Sequence, residues 1–190
     1  NTGGMGAISP VPFANEEFLT KVEERVVKPT INGLQKDGID YRGFIFIGLM
    51  NVNGNPQVIE YNVRMGDPET EAVLPRITSD LFDLFEGVAT QTLANKSFHV
   101  TPQTATTVML VSGGYPEAYE KNKAITGLEN ITDATVYHAG TTLLDGKVVS
   151  NGGRVMAITS FGDTIAEALE KSYRNIDKIH IEKMNFRKVE

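Results

Sequence analysis

Apolar positions in the first half of the chain follow two different periods. Phe18, Val22, Val26 and Leu34 recur at the three-to-four-residue spacing of one helix face. Asn15 stands before them as an N-cap, and Glu16 and Glu17 follow where a helix dipole favours negative charge. Pro29 lacks the amide proton that a helix interior needs, so a break or kink is expected there. The period then shortens to two. Residues 43–50 and 57–63 read as strands, and Asn53–Gly54–Asn55 between them makes a hairpin. The GDPET segment, residues 66–70, reads as a loop. From Pro75 to Leu93 the helical period returns, with Ile77, Leu81, Leu84, Phe85 and Val88 on one face.

The pattern changes near Ala94. From Ser97 to Phe161 short apolar runs, among them 106–111, 135–138 and 154–159, are separated by Gly113–Gly114, Gly146 and Gly152–Gly153. Short strands with glycine-rich turns point to a small barrel or sandwich. A last helix begins near Asp163 or Thr164, where Thr164 and Glu167 have the spacing of a capping box. The expectation is an α+β protein: residues 1–96 form an antiparallel sheet with helices, and residues 97–190 a small β-rich, barrel- or sandwich-like domain.

Composition narrows the classes of partner. With 190 residues, 41% hydrophobic and 22% charged, the chain is long and apolar enough to bury a core. A formal charge of −6 argues against a general nucleic-acid surface, which needs clustered Lys and Arg. It leaves room for a local basic pocket. No cysteine is present, so disulfides, thiolate metal sites and cysteine nucleophiles are excluded. No apolar run approaches the length that spans a bilayer, and no signal-peptide pattern is visible, so no membrane partner is expected. The chain opens at Asn1 in a dense glycine loop, NTGGMGA, which reads as a cut inside a larger protein.

The most informative stretch is Val58 to Arg64. Side chains alternate along a strand, so Glu60, Asn62 and Arg64 share one face while Ile59, Tyr61 and Val63 share the other, able to rest on a core. Carboxylate and amide oxygens are hard ligands suited to Mg²⁺, and a guanidinium can grip a phosphate or carboxylate. A solvated polar face on an amphipathic strand would look the same. Asp67 and Glu69 in the adjoining loop can meet a cationic group or serve as turn and helix-start residues. The loop of Asn1, Thr2, Gly3, Gly4, Met5 and Gly6 can bring backbone N–H groups close to an anion, but it matches neither the Walker pattern nor a dinucleotide fingerprint. In the second half, Arg154 can reach a phosphate. His138 can orient a substrate group, although a structural histidine is the commoner case. His99 and His180 have no companions that suggest a metal site or a triad.

Taken in order, NTGGMGAISP, VIEYNVRMGDPET, SGGYP, HAGT and NGGRV resemble the phosphoribosylamine–glycine ligases, a branch of the ATP-grasp enzymes, over essentially the whole chain. The resemblance implies that residues 1–96 are the second ATP-grasp subdomain and that the remainder is the family's small C-terminal domain. It implies ligation of glycine to 5-phosphoribosylamine with ATP as co-substrate, through glycyl phosphate, giving glycinamide ribonucleotide, ADP and phosphate in cytoplasmic purine synthesis. Glu60 and Asn62 match the positions that hold Mg²⁺ or Mn²⁺ against the nucleotide. Arg64 and Asp67 match catalytic positions, with Arg64 on the transferring phosphate. Asp67, Glu69, Arg154 and the opening loop would form the substrate pocket. The adenine pocket and a lysine would come from a missing N-terminal part of the same polypeptide, so the chain alone is expected to be inactive. Ile8, Val63 and Glu71 depart from the family's commoner residues without touching the implied metal ligands. The alternatives are another ATP-grasp carboxylate–amine ligase or a non-catalytic anion-binding module.

Overall fold

The computed structural model describes residues 3–188. In chain order its elements are β1 (Gly6–Ser9), α1 (Glu16–Val22), a π-helical stretch (Glu23–Val27), α2 (Lys28–Lys36), β2 (Phe46–Val52) and β3 (Asn55–Asn62). Then come α3 (Glu69–Val73), a 3-10 turn (Leu74–Arg76), α4 (Leu81–Thr90), β4 (Thr104–Val111) and β5 (Thr135–His138). The chain finishes with β6 (Thr141–Leu144), β7 (Lys147–Ser150), β8 (Arg154–Gly162) and α5 (Ile165–Ile176). The architecture is α+β with antiparallel sheets, as expected. No helix among the described residues is long and apolar enough to cross a membrane.

The elements cluster into two compact units, and both are discontinuous in sequence. A sheet unit takes residues 1–9, 67–77 and 100–190, and a hairpin unit takes 10–66 and 78–99. The expected division at 96–97 is a cut along the sequence. The last crossing between units, at 99–100, falls close to it.

The sheet unit is built on four strands in the order β1-β4-β8-β5, each pair antiparallel. All eight residues of β4 are buried, and β8 is buried along most of its length. Alternation splits them between two faces. Val108, Leu110, Met156 and Ile158 enter the main core, together with Leu169 and Ile176 of α5. Met109, Val111 and Ala157 form a second cluster on the opposite face. Burial of each large apolar side chain here contributes about 1.5–3 kcal/mol. The second face also carries polar anchors. Thr107 Oγ1 and Thr159 Oγ1 lie 2.7 Å apart, and Thr159 Oγ1 donates to the Glu71 carbonyl at 3.0 Å, fixing α3 to β8. Helix α5 starts as its sequence predicts, with Thr164 Oγ1 accepting from Glu167 N at 3.2 Å. The reciprocal bond of the box shifts by one residue, since the Glu167 carboxylate accepts from Asp163 N.

The hairpin unit pairs β2 with β3 through Asn53 and Gly54, both in the left-handed region with φ of 52° and 76°. Such a two-residue turn matches the natural twist of the strands, and Gly54 takes the position where a side chain costs most. Ile59 is an extra residue in β3, because Gly48 faces Glu60 while Leu49 faces Val58. Asn15 caps α1, accepting from Phe18 N at 2.9 Å. Pro29 does not break the helix. The preceding turn widens into the π-helical stretch, where Lys28 N–H reaches Glu23 O, five residues back.

Two expectations are corrected here. The single helix over 75–93 is interrupted: a 3-10 turn ends at Arg76, and α4 begins only after Asp80, whose carboxylate accepts from Phe82 N and Asp83 N. The apolar period ran straight through that cap. The GDPET loop is also shorter than expected, since α3 already starts at Glu69.

Arg76 closes the sheet unit. Its Nε donates to Gln103 O at 3.0 Å, Nη1 to Ser9 Oγ at 2.9 Å and Nη2 to Thr101 O at 3.0 Å. One planar fork therefore joins all three stretches of chain that make up this unit. Replacing Arg76 with Ala should cost about 2–3 kcal/mol in urea unfolding followed by circular dichroism, because three acceptors lose a charged donor together. Lys at this position should recover less than half of that, and a loss near zero for the alanine variant would show that the fork does not hold the unit together.

Candidate functional site

The candidate residues fall into two sets, one in each unit. Asn1 and Thr2 lie outside the described residues. In the hairpin unit, Glu60 and Asn62 sit on β3 beyond the bulge, so the alternation between them is intact. Asn62 Nδ2 donates to Glu60 Oε1 at 3.2 Å, which shows that the two side chains share a face. They put a carboxylate and an amide side by side, a hard-oxygen pair that fits Mg²⁺ or Mn²⁺ completing its shell with waters and phosphates. No group of three or more His, Cys, Asp or Glu side chains gathers for a metal among the described residues.

Arg64 departs from the expected row. Strand β3 ends at Asn62, and the exposed Arg64 side chain turns onto its neighbour, with Nη1 donating to Met65 O at 2.8 Å. The apolar face opposite Glu60 and Asn62 does not rest on a core in this chain either. Ile59 is 62% exposed and Val63 74%. Tyr61 is 50% exposed, although its hydroxyl meets Thr30 Oγ1 at 3.0 Å. A two-stranded hairpin with one bulged strand has little surface to cover that row.

In the sheet unit, three of the expected segments meet at one guanidinium. Arg154 opens β8. Its Nη2 pairs with Asp67 Oδ2 at 3.0 Å, while Nη1 donates to Asp67 O at 3.0 Å and to Gly4 O at 3.4 Å. The Gly4 backbone is left-handed at φ 70°, and a Cβ there would lie 2.7 Å from Arg154 Nη1. Only a bare backbone can approach the guanidinium so closely. Gly6 pairs with Val108, and Met5 O accepts from Met109 N at 3.1 Å, which anchors the loop on β4. Glu69 is half-buried in the first turn of α3. The Arg154 side chain is 28% exposed and that of Asp67 50%. Their attraction is therefore modest in energy, and its importance lies in orientation.

The glycine-rich turns turn out to be one assembly that sets the start of β8. Ser112 donates from Oγ to Gly152 O and from its amide to Gly153 O, both at 2.8 Å. Asn151 N donates to Gly140 O at 2.8 Å, and Gly140 N to Val155 O at 3.0 Å. A Cβ on Gly140 would clash with Arg154 O, and one on Gly153 with the Tyr115 ring. SGGYP, HAGT and NGGRV thus interlock through backbone contacts that leave no room for side chains. His138 belongs to the same region, where its Nδ1 lies 2.9 Å from Thr141 Oγ1.

Sequence reasoning assigned no role to three residues here. Ser112, first residue of SGGYP, is buried and bonded twice to the glycine turn. Tyr137 packs against the second cluster, and its phenol is pushed up by burial first and by the Glu71 charge second. Glu71 has one carboxylate oxygen, Oε2, buried without a hydrogen-bond partner among the described residues. Burial pushes the Glu71 carboxyl up. Asp67 and Glu69 add to this, and its own backbone amide and Arg154 oppose it. The sequence marked Glu71 only as a departure from the family's commoner residue and did not show its burial.

Known proteins agree with these segments. The family model described as "Phosphoribosylglycinamide synthetase, ATP-grasp (A) domain" matches residues 1–70, and "Phosphoribosylglycinamide synthetase, C domain" matches residues 105–188. A phosphoribosylamine–glycine ligase of Caldanaerobacter subterraneus subsp. tengcongensis is 43% identical over 99% of this chain and 45% of its own length. A bifunctional purine biosynthetic protein of Pichia angusta is 46% identical over 94% of this chain and 23% of its own length. The crystal structure of the Thermotoga maritima phosphoribosylamine–glycine ligase superposes with a TM-score of 0.82 at 38% identity, covering 98% of this chain and 46% of that one. The chain therefore spans less than half the length of these relatives.

Gly140→Ala tests the interlock. Its methyl group would meet backbone atoms that cannot swing away, so a loss of about 2–3 kcal/mol is expected by urea denaturation. An unchanged midpoint would mean that the turns shift freely and do not set the position of Arg154.

Proposed function

The chain belongs to the phosphoribosylamine–glycine ligase family, and from that premise we propose that it is the part of such an enzyme that holds divalent ions and substrate anions. The reaction is the joining of glycine to 5-phosphoribosylamine at the expense of ATP. The γ-phosphoryl group passes to the glycine carboxylate, giving glycyl phosphate and ADP. The amine nitrogen then attacks the acyl carbon, the C–N bond forms, and the C–O bond to phosphate breaks to give glycinamide ribonucleotide.

The observation that carries this reading is the meeting of the opening glycine loop, Asp67 and Arg154 at one guanidinium. Those segments come from three of the motifs that resemble the family. A fork oriented by Asp67 presents fixed N–H donors to an anionic substrate group, which is the role assigned here to Arg154. Asp67 and Glu69 are placed on the amine side of the substrates. Glu60 and Asn62 supply hard oxygens for Mg²⁺ or Mn²⁺. When bound, such ions neutralise charge on the nucleotide phosphates as the phosphoryl group moves. Arg64 is exposed and donates to its neighbour's carbonyl among the described residues, from where it can turn to a phosphate when substrate binds. A polypeptide of the relatives' full length, in the cytoplasm, is the working enzyme in this reading, and the chain alone does not turn over.

Two measurements test it. In the full-length protein, ADP release should require glycine and phosphoribosylamine together. Release with neither, or only with a different amine, would point to another carboxylate–amine ligase. Glu60→Gln should lower kcat by roughly 10²-fold or more while the melting temperature stays within about 2 °C. Unchanged turnover in that variant would favour a non-catalytic anion-binding role.

A further inference from the structure

Glu71 sits where two demands conflict. Its backbone carbonyl is fixed from below by Thr159 Oγ1, itself held by Thr107, so the residue cannot back away from the sheet. Its Oε2 is buried with no hydrogen-bond partner among the described residues. An ionised carboxylate oxygen in that position gives up water and gains no donor, which disfavours the charged form. A carboxylic acid in the same place avoids most of that cost.

The surrounding charges point the same way. Asp67 precedes α3 and Glu69 lies within it, so three carboxyl groups share the neighbourhood of one guanidinium. Arg154, from β8, is already engaged by Asp67 and by the carbonyl of Gly4. Arg76, in the adjoining 3-10 turn, is spent on Gln103, Ser9 and Thr101. Strands β1 and β4, against which α3 also packs, contain no titratable residue. From β5 the group facing Glu71 is the Tyr137 phenol, and the neighbouring His138 is bonded to Thr141. Arg154, the cation that acts on Glu71, is thus already engaged elsewhere.

We propose that Glu71 is a positioning residue that works in its protonated form, leaving Arg154 committed to Asp67 and Gly4 and withholding one negative charge from the place where an anionic group would bind. Were Glu71 ionised, it would compete with Asp67 for the same guanidinium and would repel a phosphate or carboxylate ligand. The functional half of this proposal rests on the ligase reading. The protonation half does not.

The direct test is a pH titration of the chain labelled with ¹³C at glutamate carboxyls and ¹⁵N at arginine. The Glu71 signal, identified by its loss in Glu71→Gln, should titrate with a midpoint raised above the ordinary glutamate value of 4.5. The Arg154 Nε–H signal should move with the same midpoint in the wild-type chain and stay flat in Glu71→Gln. A Glu71 midpoint among the other glutamates, or an Arg154 signal indifferent to it, would overturn the proposal.

Stability gives a second reading. The folded chain keeps the Glu71 proton to higher pH than the unfolded chain, so it binds more protons between the ordinary value of 4.5 and the raised folded value. Folding stability therefore falls as pH rises through that window, and Glu71→Gln should lack the fall. Parallel stability curves for the two proteins would count against the proposal. In the full-length enzyme, kcat/KM should decline above the Glu71 midpoint in the wild type, and the glutamine variant should lose that limb of the profile. If no substrate-dependent ADP release is found at all, the ligase reading fails, and the titration still decides whether Glu71 holds its proton.

Discussion

Arg76 joins pieces of chain that the sequence keeps far apart. Its three guanidinium nitrogens donate to oxygens of the opening segment and of the residues just before β4, and none of those partners is a carboxylate. A lysine ammonium is a single point from which donors rotate, whereas a planar fork holds three separate acceptors at fixed angles. The interaction also decides what lies next to what. With Ser9 and Thr101 held to one side chain, β1 adds to β4, and α3 is laid on the face of the sheet opposite α5. Asp67 and Gly4, at the far ends of those same segments, are thereby delivered to the start of β8. The Arg154 cradle is a consequence of the Arg76 clamp.

A second constraint acts at the other end of the sheet. The ion pair of Arg154 with Asp67 is too exposed to fix a position on energy alone. Backbone packing does that work. Gly140 and Gly152 approach within the space that a Cβ would fill, and Ser112 ties the turn from a buried position. A close-packed backbone has few ways to move, which is what a guanidinium needs if it is to meet an anion in one geometry. The glycines that look like turn formers in the sequence are better understood as the rigid base under a charged side chain.

Features fixed by neighbouring residues were legible from the sequence. The Asn15 cap, the Asn53–Gly54 turn and the Thr164 start of α5 depend on contacts a few residues long, and β4, β5 and β8 show as short apolar runs. What escaped depends on distant partners or on an exact residue count. The widened turn before Pro29, the extra residue at Ile59 and the interruption before α4 each shift a period by one residue or less than one turn, which an apolar pattern cannot register. Arg76 and Ser112 are bonded to segments tens of residues away, so their neighbours in sequence say nothing about their work. The chemistry was partly legible. Glu60 and Asn62 share a face as alternation predicts, because the bulge lies before both. Arg64 does not continue the row, because the strand ends first.

The acidic character of the chain and a site for anions are reconciled at short range. A net charge of −6 is spread over the surface and screened within about 10 Å at moderate salt. Asp67, Glu69 and Arg154 all act on Glu71, and the three carboxyl groups differ in what they can do. Asp67 is bonded to the guanidinium and orients it. Glu69 lies half-exposed, where solvent screens its charge. Glu71 alone has an oxygen cut off from both water and donors, so its state of protonation has the greatest leverage on what the guanidinium can attract. A single buried oxygen can thus outweigh several surface charges, because desolvation amplifies electrostatics where screening is lost.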